Sequence, residues 1–301
     1  MAPSSLLFGM ALAASGSMLV NGQALDKPPL SDNLDYLADG NNANLAVNQG
    51  TYQQWEAGTI PADCKSLGQE EGKDPNDFEV YDVTYGDCGD PWVFCRHKDS
   101  TTTIDTTINT FSQLPVAMRS WVRHVLTMPG DDSAYNANGN IAFFGGTSGS
   151  VDVALHETGH SLDLLGAYGD QLSTSQDWLD SYDQDSNVPD NYAQTSQIEN
   201  VAQNTVVGVY DKVVPGGFPG VQPDYNNIIH QYTTLQSKAG DQILPGGQCD
   251  RHLDNSEPVS TSDDSASVVH AANTPNVSFK GKYTNIVKNF REFNTKEHCA
   301  Y

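Results

Sequence analysis

Residues 151–165, VDVALHETGHSLDLL, set two histidines four positions apart inside an apolar run, a pattern that leaves the chain little choice of local structure. Val151, Val153, Ala154 and Leu155 precede the pair, and Leu162, Leu164 and Leu165 follow it, so the stretch is expected to be a buried helix. Side chains four apart on a helix lie one above the other, and His156 and His160 can therefore reach one metal ion. Glu157 is offset by one residue and stands beside that ion, where its carboxylate can take a proton from a water the metal acidifies. The H-E-x-x-H pattern thus predicts a Zn2+ site with His156 and His160 as ligands and Glu157 as catalytic base. Gly159 inside such a helix costs about 1 kcal/mol relative to Ala, which calls for a close neighbour at that position.

Two histidines do not complete a catalytic zinc, which takes three protein ligands and keeps one position open. Asp163 shares their face, but the seven residues from His156 rise about 10 Å, too far for it to close the same shell. It is a candidate to hold a histidine ring nitrogen instead. A third histidine six residues after His160, the metzincin spacing, is excluded by Gly166. Glu199 is the only glutamate between Glu157 and Glu257, and it falls on a second helical pattern over about residues 196–209, with Ile198, Val201, Ala202 and Val206 inward. Packed beside the first helix, it completes a gluzincin set of His156, His160 and Glu199. A competing reading stays open, because Ser196-Gln197-Ile198-Glu199 is also a capping box in which Glu199 bonds the backbone.

HETGHSLDLLG over residues 156–166, followed by YAQTSQIEN over 192–200, resembles the catalytic domain of anthrax lethal factor and its relatives. The resemblance implies an α+β, zincin-like metallopeptidase fold with an active-site helix and a second helix supplying the third ligand. It implies that Tyr192, seven residues before Glu199, donates a hydrogen bond or proton to the tetrahedral intermediate or the leaving amine. Read as a residue alone, Tyr192 is also a half-buried aromatic before a helix. It further implies that strand 140–144 is an edge strand pairing with an extended protein or peptide substrate. Gln203 departs from the family, which tends to carry an acid there. YDVTY at 81–85 and PWVFC at 91–95 are similar to small secreted fungal proteins described as conidiation-specific, a likeness that implies an extracellular fungal protein.

An apolar run over residues 6–20 before Gly22-Gln23-Ala24 predicts a secretory signal peptide, residues 1–24, and is too short and too interrupted by Ser15-Gly16-Ser17 for a membrane anchor. Residues 25–75 read as an N-terminal arm or pro-segment, and 76–301 as the zincin-like metallopeptidase domain. With 38 acidic and 15 basic residues the net charge is −23, which argues against nucleic acid and membranes as partners and suits a secreted monomer. Outside the cell the five cysteines are expected to pair, Cys88 with Cys95 across the turn at Gly89-Asp90-Pro91 and, in second place, Cys249 with Cys299. Asn276-Val277-Ser278 is a glycosylation acceptor, and the basic residues from Lys280 to Lys296 read as a surface helix.

Alternation over 79–85 and 92–94 predicts a β-hairpin, and apolar spacing predicts a helix over 115–128. The stretch 256–267 reads as an exposed loop. Asp183, Asp185 and Asn187 alternate as in a calcium loop, although Val188 and Gln194 stand where an EF-hand needs Gly and Glu.

Overall fold

The computed structural model describes residues 24–262 and the backbone of residues 299–300. Residues 1–23 of the expected signal peptide, the expected glycosylation acceptor Asn276, the basic stretch 280–296 and the side chain of Cys299 lie outside the described residues. In chain order come β1 (Pro29–Ser31), α1 (Ala38–Asn44), β2 (Thr51–Gln54), β3 (Thr59–Pro61), α2 (Ala62–Glu70), β4 (Phe78–Thr84) and β5 (Trp92–His97). Then follow α3 (Ile104–Gln113), α4 (Val116–Arg119), β6 (His124–Met128), β7 (Ser133–Ala137), β8 (Asn140–Phe144) and α5 (Val151–Leu164). The last are α6 (Gln176–Gln184), β9 (Val188–Asp190), α7 (Gln197–Val213), α8 (Ile229–Ala239), β10 (Pro258–Ser260) and β11 (Cys299–Ala300).

Seven of these strands form one mixed sheet in the order β11-β7-β8-β6-β5-β4-β2, giving an α+β architecture. The expected hairpin is present, with β4 and β5 antiparallel and Val83 opposite Trp92. Strand alternation sends Tyr81, Val83, Trp92, Phe94, Val125, Ile141 and Phe143 to one face, where they meet Leu155 and Leu162 of α5 and Val201 and Val206 of α7. Val80, Val93, Cys95, Leu126, Met128, Ala142 and Phe144 face the other way, against Ile60, Cys64 and Leu67 of the β3–α2 segment. Covered on both faces, β6 and β8 are buried at every residue.

That double burial corrects the helix expected over 115–128. Only Val116–Arg119 is helical, and His124–Met128 is the parallel strand β6 in the middle of the sheet. A strand buried on both faces has no polar alternation, so its apolar residues mimic helical spacing. The strand Asn140–Phe144 exists, yet it is not an edge strand: β8 is parallel to β6 on one side and antiparallel to β7 on the other. β7, on its outer side, pairs in turn with β11.

The cysteine pairings are also corrected. Cys64 bonds Cys95, and Cys88 bonds Cys249. Cys88 joins the larger core and Cys95 the smaller one, so the two lie on opposite faces of the sheet and cannot meet across their turn. Residues 25–75 pack into the same body, with Leu34, Leu37 and Leu45 in the larger core, β1 parallel to β9 and β2 on the sheet. The 256–267 stretch opens with β10, which pairs antiparallel with β3.

Candidate metal centre

α5 begins at Ser150, whose Oγ accepts the Val153 N–H at 3.3 Å, and twelve of its residues are buried because the helix lies between the sheet and α7. α7 begins in the same way: Ser196 Oγ accepts the Glu199 N–H at 3.2 Å. The two helices approach closely at Gly159. A Cβ there would stand 2.9 Å from Thr205 Oγ1 and 3.3 Å from Ala202 Cα, which is why the position takes no side chain.

This approach brings three donor atoms together. His156 Nε2 lies 3.1 Å and His160 Nε2 3.2 Å from Glu199 Oε2, and the two imidazole nitrogens are 3.1 Å apart. Three donors about 2.0–2.1 Å from one zinc at tetrahedral angles lie roughly 3.3 Å from each other, so the triangle fits the ion. Among the described residues no other group of three His, Cys, Asp or Glu side chains converges in this way. Burial alone pushes the Glu199 carboxyl up, but the charge and hydrogen bonding of His160 and His156 outweigh it and hold the group well below the usual carboxylate range. Only half of a capping box is formed: the serine hydroxyl caps α7, while the Glu199 carboxylate turns to the imidazoles.

Glu157 is fully buried on α5. Beside it, Asn136 Nδ2 of β7 donates to the Glu157 carbonyl and to Ser161 Oγ, each at 2.8 Å, and so ties the sheet to the helix. Tyr192 is half-buried in the turn before α7, with its ring centroid 5.5 Å from that of His156. Asp163 Oδ1 accepts the Ser173 N–H at 2.9 Å; burial pushes its pKa up, and the Ser173 hydrogen bonds and the charge of His160 oppose the rise.

Two further residues adjoin the centre, and one of them, Asp190, escapes the sequence reading. Gln203 Oε1 lies 2.9 Å from His156 Nδ1, and Gln203 Nε2 donates to Asp190 Oδ2. Gln203 is one helical turn after Glu199 on the same face, the position at which the resemblance singled it out. Asp190 carries no such signal, being one of several acids in a polar connection. Nor do Asp183, Asp185 and Asn187 form a calcium loop. The Asp185 carboxylate accepts the backbone N–H groups of His230 and Gln231 at 3.0 and 2.8 Å at the start of α8, Asn187 Nδ2 donates to the Pro29 carbonyl, and Asp183 is exposed.

Fold and site together define a mixed α+β protein with a buried His-His-Glu cluster between two helices. The chain belongs to the family of the conidiation-specific protein Con-13, whose family model matches residues 31–281. It is similar to Conidiation-specific protein 13 of Neurospora crassa, with 34% identity over 265 residues, 83% of this chain and 75% of that protein. The likeness visible in residues 81–95 therefore extends over most of the chain. No solved structure matches it.

Proposed function

We infer that the chain is a secreted zinc-dependent metalloendopeptidase of zincin-like, gluzincin type, with a protein or peptide as substrate. The observation that carries this reading is the triangle of His156 Nε2, His160 Nε2 and Glu199 Oε2, with sides of 3.1–3.2 Å, on an H-E-x-x-H helix and its neighbour. Zinc held there supplies a Lewis acid and an acidified water. Glu157 takes the proton of the attacking water and returns it to the leaving amine. Tyr192, on the His156 side, donates a hydrogen bond to the oxygen of the tetrahedral intermediate. Two disulfides suit an oxidising, extracellular setting.

The test is cleavage of an unbiased peptide library with and without chelator. Glu157→Gln is expected to keep its zinc and to lower cleavage by about 10²–10⁴-fold. Cleavage at the wild-type rate by E157Q overturns the assignment.

A second reading, a zinc-holding structural protein of the spore or cell wall with little turnover, is favoured by burial. His156, His160 and Glu199 are only 1, 4 and 2% exposed, whereas a catalytic zinc keeps one position open to substrate. Here the wild-type protein cleaves nothing in the library, and chelation lowers its melting temperature.

A further inference from the structure

We propose that Asp190 is a positioning residue of the metal centre: through Gln203 it decides which nitrogen of His156 carries the proton, and it also fastens the turn that bears Tyr192. The consequence for metal binding rests on the zinc reading above; the hydrogen-bond geometry does not. Gln203 joins the two groups with opposite ends of one amide, Oε1 at 2.9 Å from His156 Nδ1 and Nε2 donating to Asp190 Oδ2. A carboxylate only accepts, so Asp190 turns the NH2 end of Gln203 toward itself and the carbonyl end toward the imidazole. That carbonyl accepts only from an N–H. The proton of neutral His156 therefore sits on Nδ1 and the lone pair on Nε2, the atom that faces Glu199 Oε2 and His160 Nε2. The opposite tautomer would present a proton where a metal ligand needs a lone pair.

The other oxygen of Asp190 serves the tyrosine. Oδ1 accepts the Ala193 N–H at 2.8 Å, closing the turn around Tyr192, whose ring lies against that of His156. Asp190 is 1% and Gln203 6% exposed, so water has little access to reverse the sense of the chain of hydrogen bonds. Asp190 is held in turn by β9, where it stands in register with Ser31 of β1. One buried carboxylate thus sets a ligand's tautomer and a neighbouring tyrosine's position at once.

Asp190→Asn reverses the chain. The introduced amide keeps its carbonyl on the Ala193 N–H and offers its NH2 to Gln203, which must then point its own NH2 at His156 Nδ1 and drive the proton to Nε2. Zinc affinity, measured by competition with a chromophoric chelator, is expected to fall about 10–100-fold in D190N. Adding Gln203→Glu to D190N restores the polarity, because a carboxylate accepts from the introduced amide and from His156 Nδ1–H together; most of the lost affinity is expected to return. A residue that merely fills space predicts no such rescue. Wild-type zinc affinity in D190N, or no recovery in the folded double variant, overturns the proposal.

Nitrogen-15 shifts of His156 in the metal-free wild-type protein give a second measurement that needs no variant to fold. A proton on Nδ1 supports the proposal, whether or not Nε2 carries a second one toward Glu199 Oε2, and a proton on Nε2 alone overturns it. If the wild-type protein takes up no zinc, the zinc reading falls, and the tautomer still decides the role of Asp190.

Discussion

Glu199 and Asp152 are both acids in the first turn of a helix, and their surroundings push them in opposite directions. Glu199 is desolvated but faces two imidazoles, which keep it ionised. Asp152 faces Asn41, whose Nδ2 donates to Oδ1 at 2.7 Å, while Asp152 Oδ2 and Asn41 Oδ1 are buried without hydrogen-bond partners among the described residues. Burial pushes the Asp152 pKa up to about 6, with nearby Asp35 adding to the rise and the Asn41 hydrogen bond opposing it. Because the folded value lies above the unfolded one, about 3.9, the contribution of Asp152 to stability is full below pH about 4 and is lost as pH rises through about 6. Asp152→Asn supplies a neutral group with a donor for the Asn41 carbonyl. It is expected to raise the melting temperature at pH 7 and to leave it nearly unchanged at pH 4; an equal effect at both pH values would show that the carboxylate's charge is not the cause. For Glu199 the expectation is the reverse. Glu199→Ala keeps the Ser196 cap and the helix but removes the third donor, so stoichiometric zinc binding is lost while the circular dichroism of the metal-free protein is retained. Undiminished zinc binding by E199A would count against the ligand role.

The contact between α5 and α7 is where helix propensity yields to packing. Gly159→Ala gains about 1 kcal/mol of helix propensity but places a methyl group 2.9 Å from Thr205 Oγ1, and overpacking of this kind costs about 1–3 kcal/mol. The net effect expected is a loss of up to about 2 kcal/mol in urea unfolding of the chelator-treated protein, together with weaker zinc binding as the helices move apart. A stabilised variant would mean that the helices have room to spare. These two helices are legible in the sequence because each carries a long apolar stripe and a serine cap, and the convergence of His156, His160 and Glu199 follows from i, i+4 spacing plus a lone glutamate on the next helix. Other elements are not legible for physical reasons. The buried parallel strand β6 shows no alternation, and β7, reading Ser-Ala-Tyr-Asn-Ala, lacks the β-branched residues that mark a strand. The roles of Gln203 and Asp190 depend on a contact between α7 and β9 that no periodicity within either segment encodes.

At the scale of the molecule, the two disulfides bind different parts of the chain to opposite faces of one sheet. Cys64–Cys95 closes a separation of 31 residues and holds α2 against the smaller core. Cys88–Cys249 closes a separation of 161 residues and brings the segment after α8 back to the turn between β4 and β5. There the backbone N–H of Gly89 bonds the Cys249 carbonyl at 2.9 Å, and that of Cys249 bonds the Asp87 carbonyl at 2.8 Å. Further along, buried His124 receives the Ser256 N–H on Nε2 at 3.3 Å; burial pushes its pKa down to about 4, so the ring stays neutral and able to accept. Such pairings cannot be read from cysteine spacing, because they depend on which face of the sheet each thiol occupies. On chain entropy alone the longer loop is worth about 5 kcal/mol and the shorter about 4. Replacing Cys88 and Cys249 together by Ser is therefore expected to lower unfolding stability by about 2–5 kcal/mol, and at least as much as replacing Cys64 and Cys95. Zinc affinity should be untouched in either pair of variants, since His156, His160 and Glu199 are brought together by α5 and α7. Urea unfolding of the metal-free proteins, paired with zinc titration of the folded ones, measures both quantities separately. Loss of zinc binding in the Cys88/Cys249 variant would mean that the segment after α8 helps to hold the two helices together, and that the centre depends on the whole sheet rather than on one helix pair.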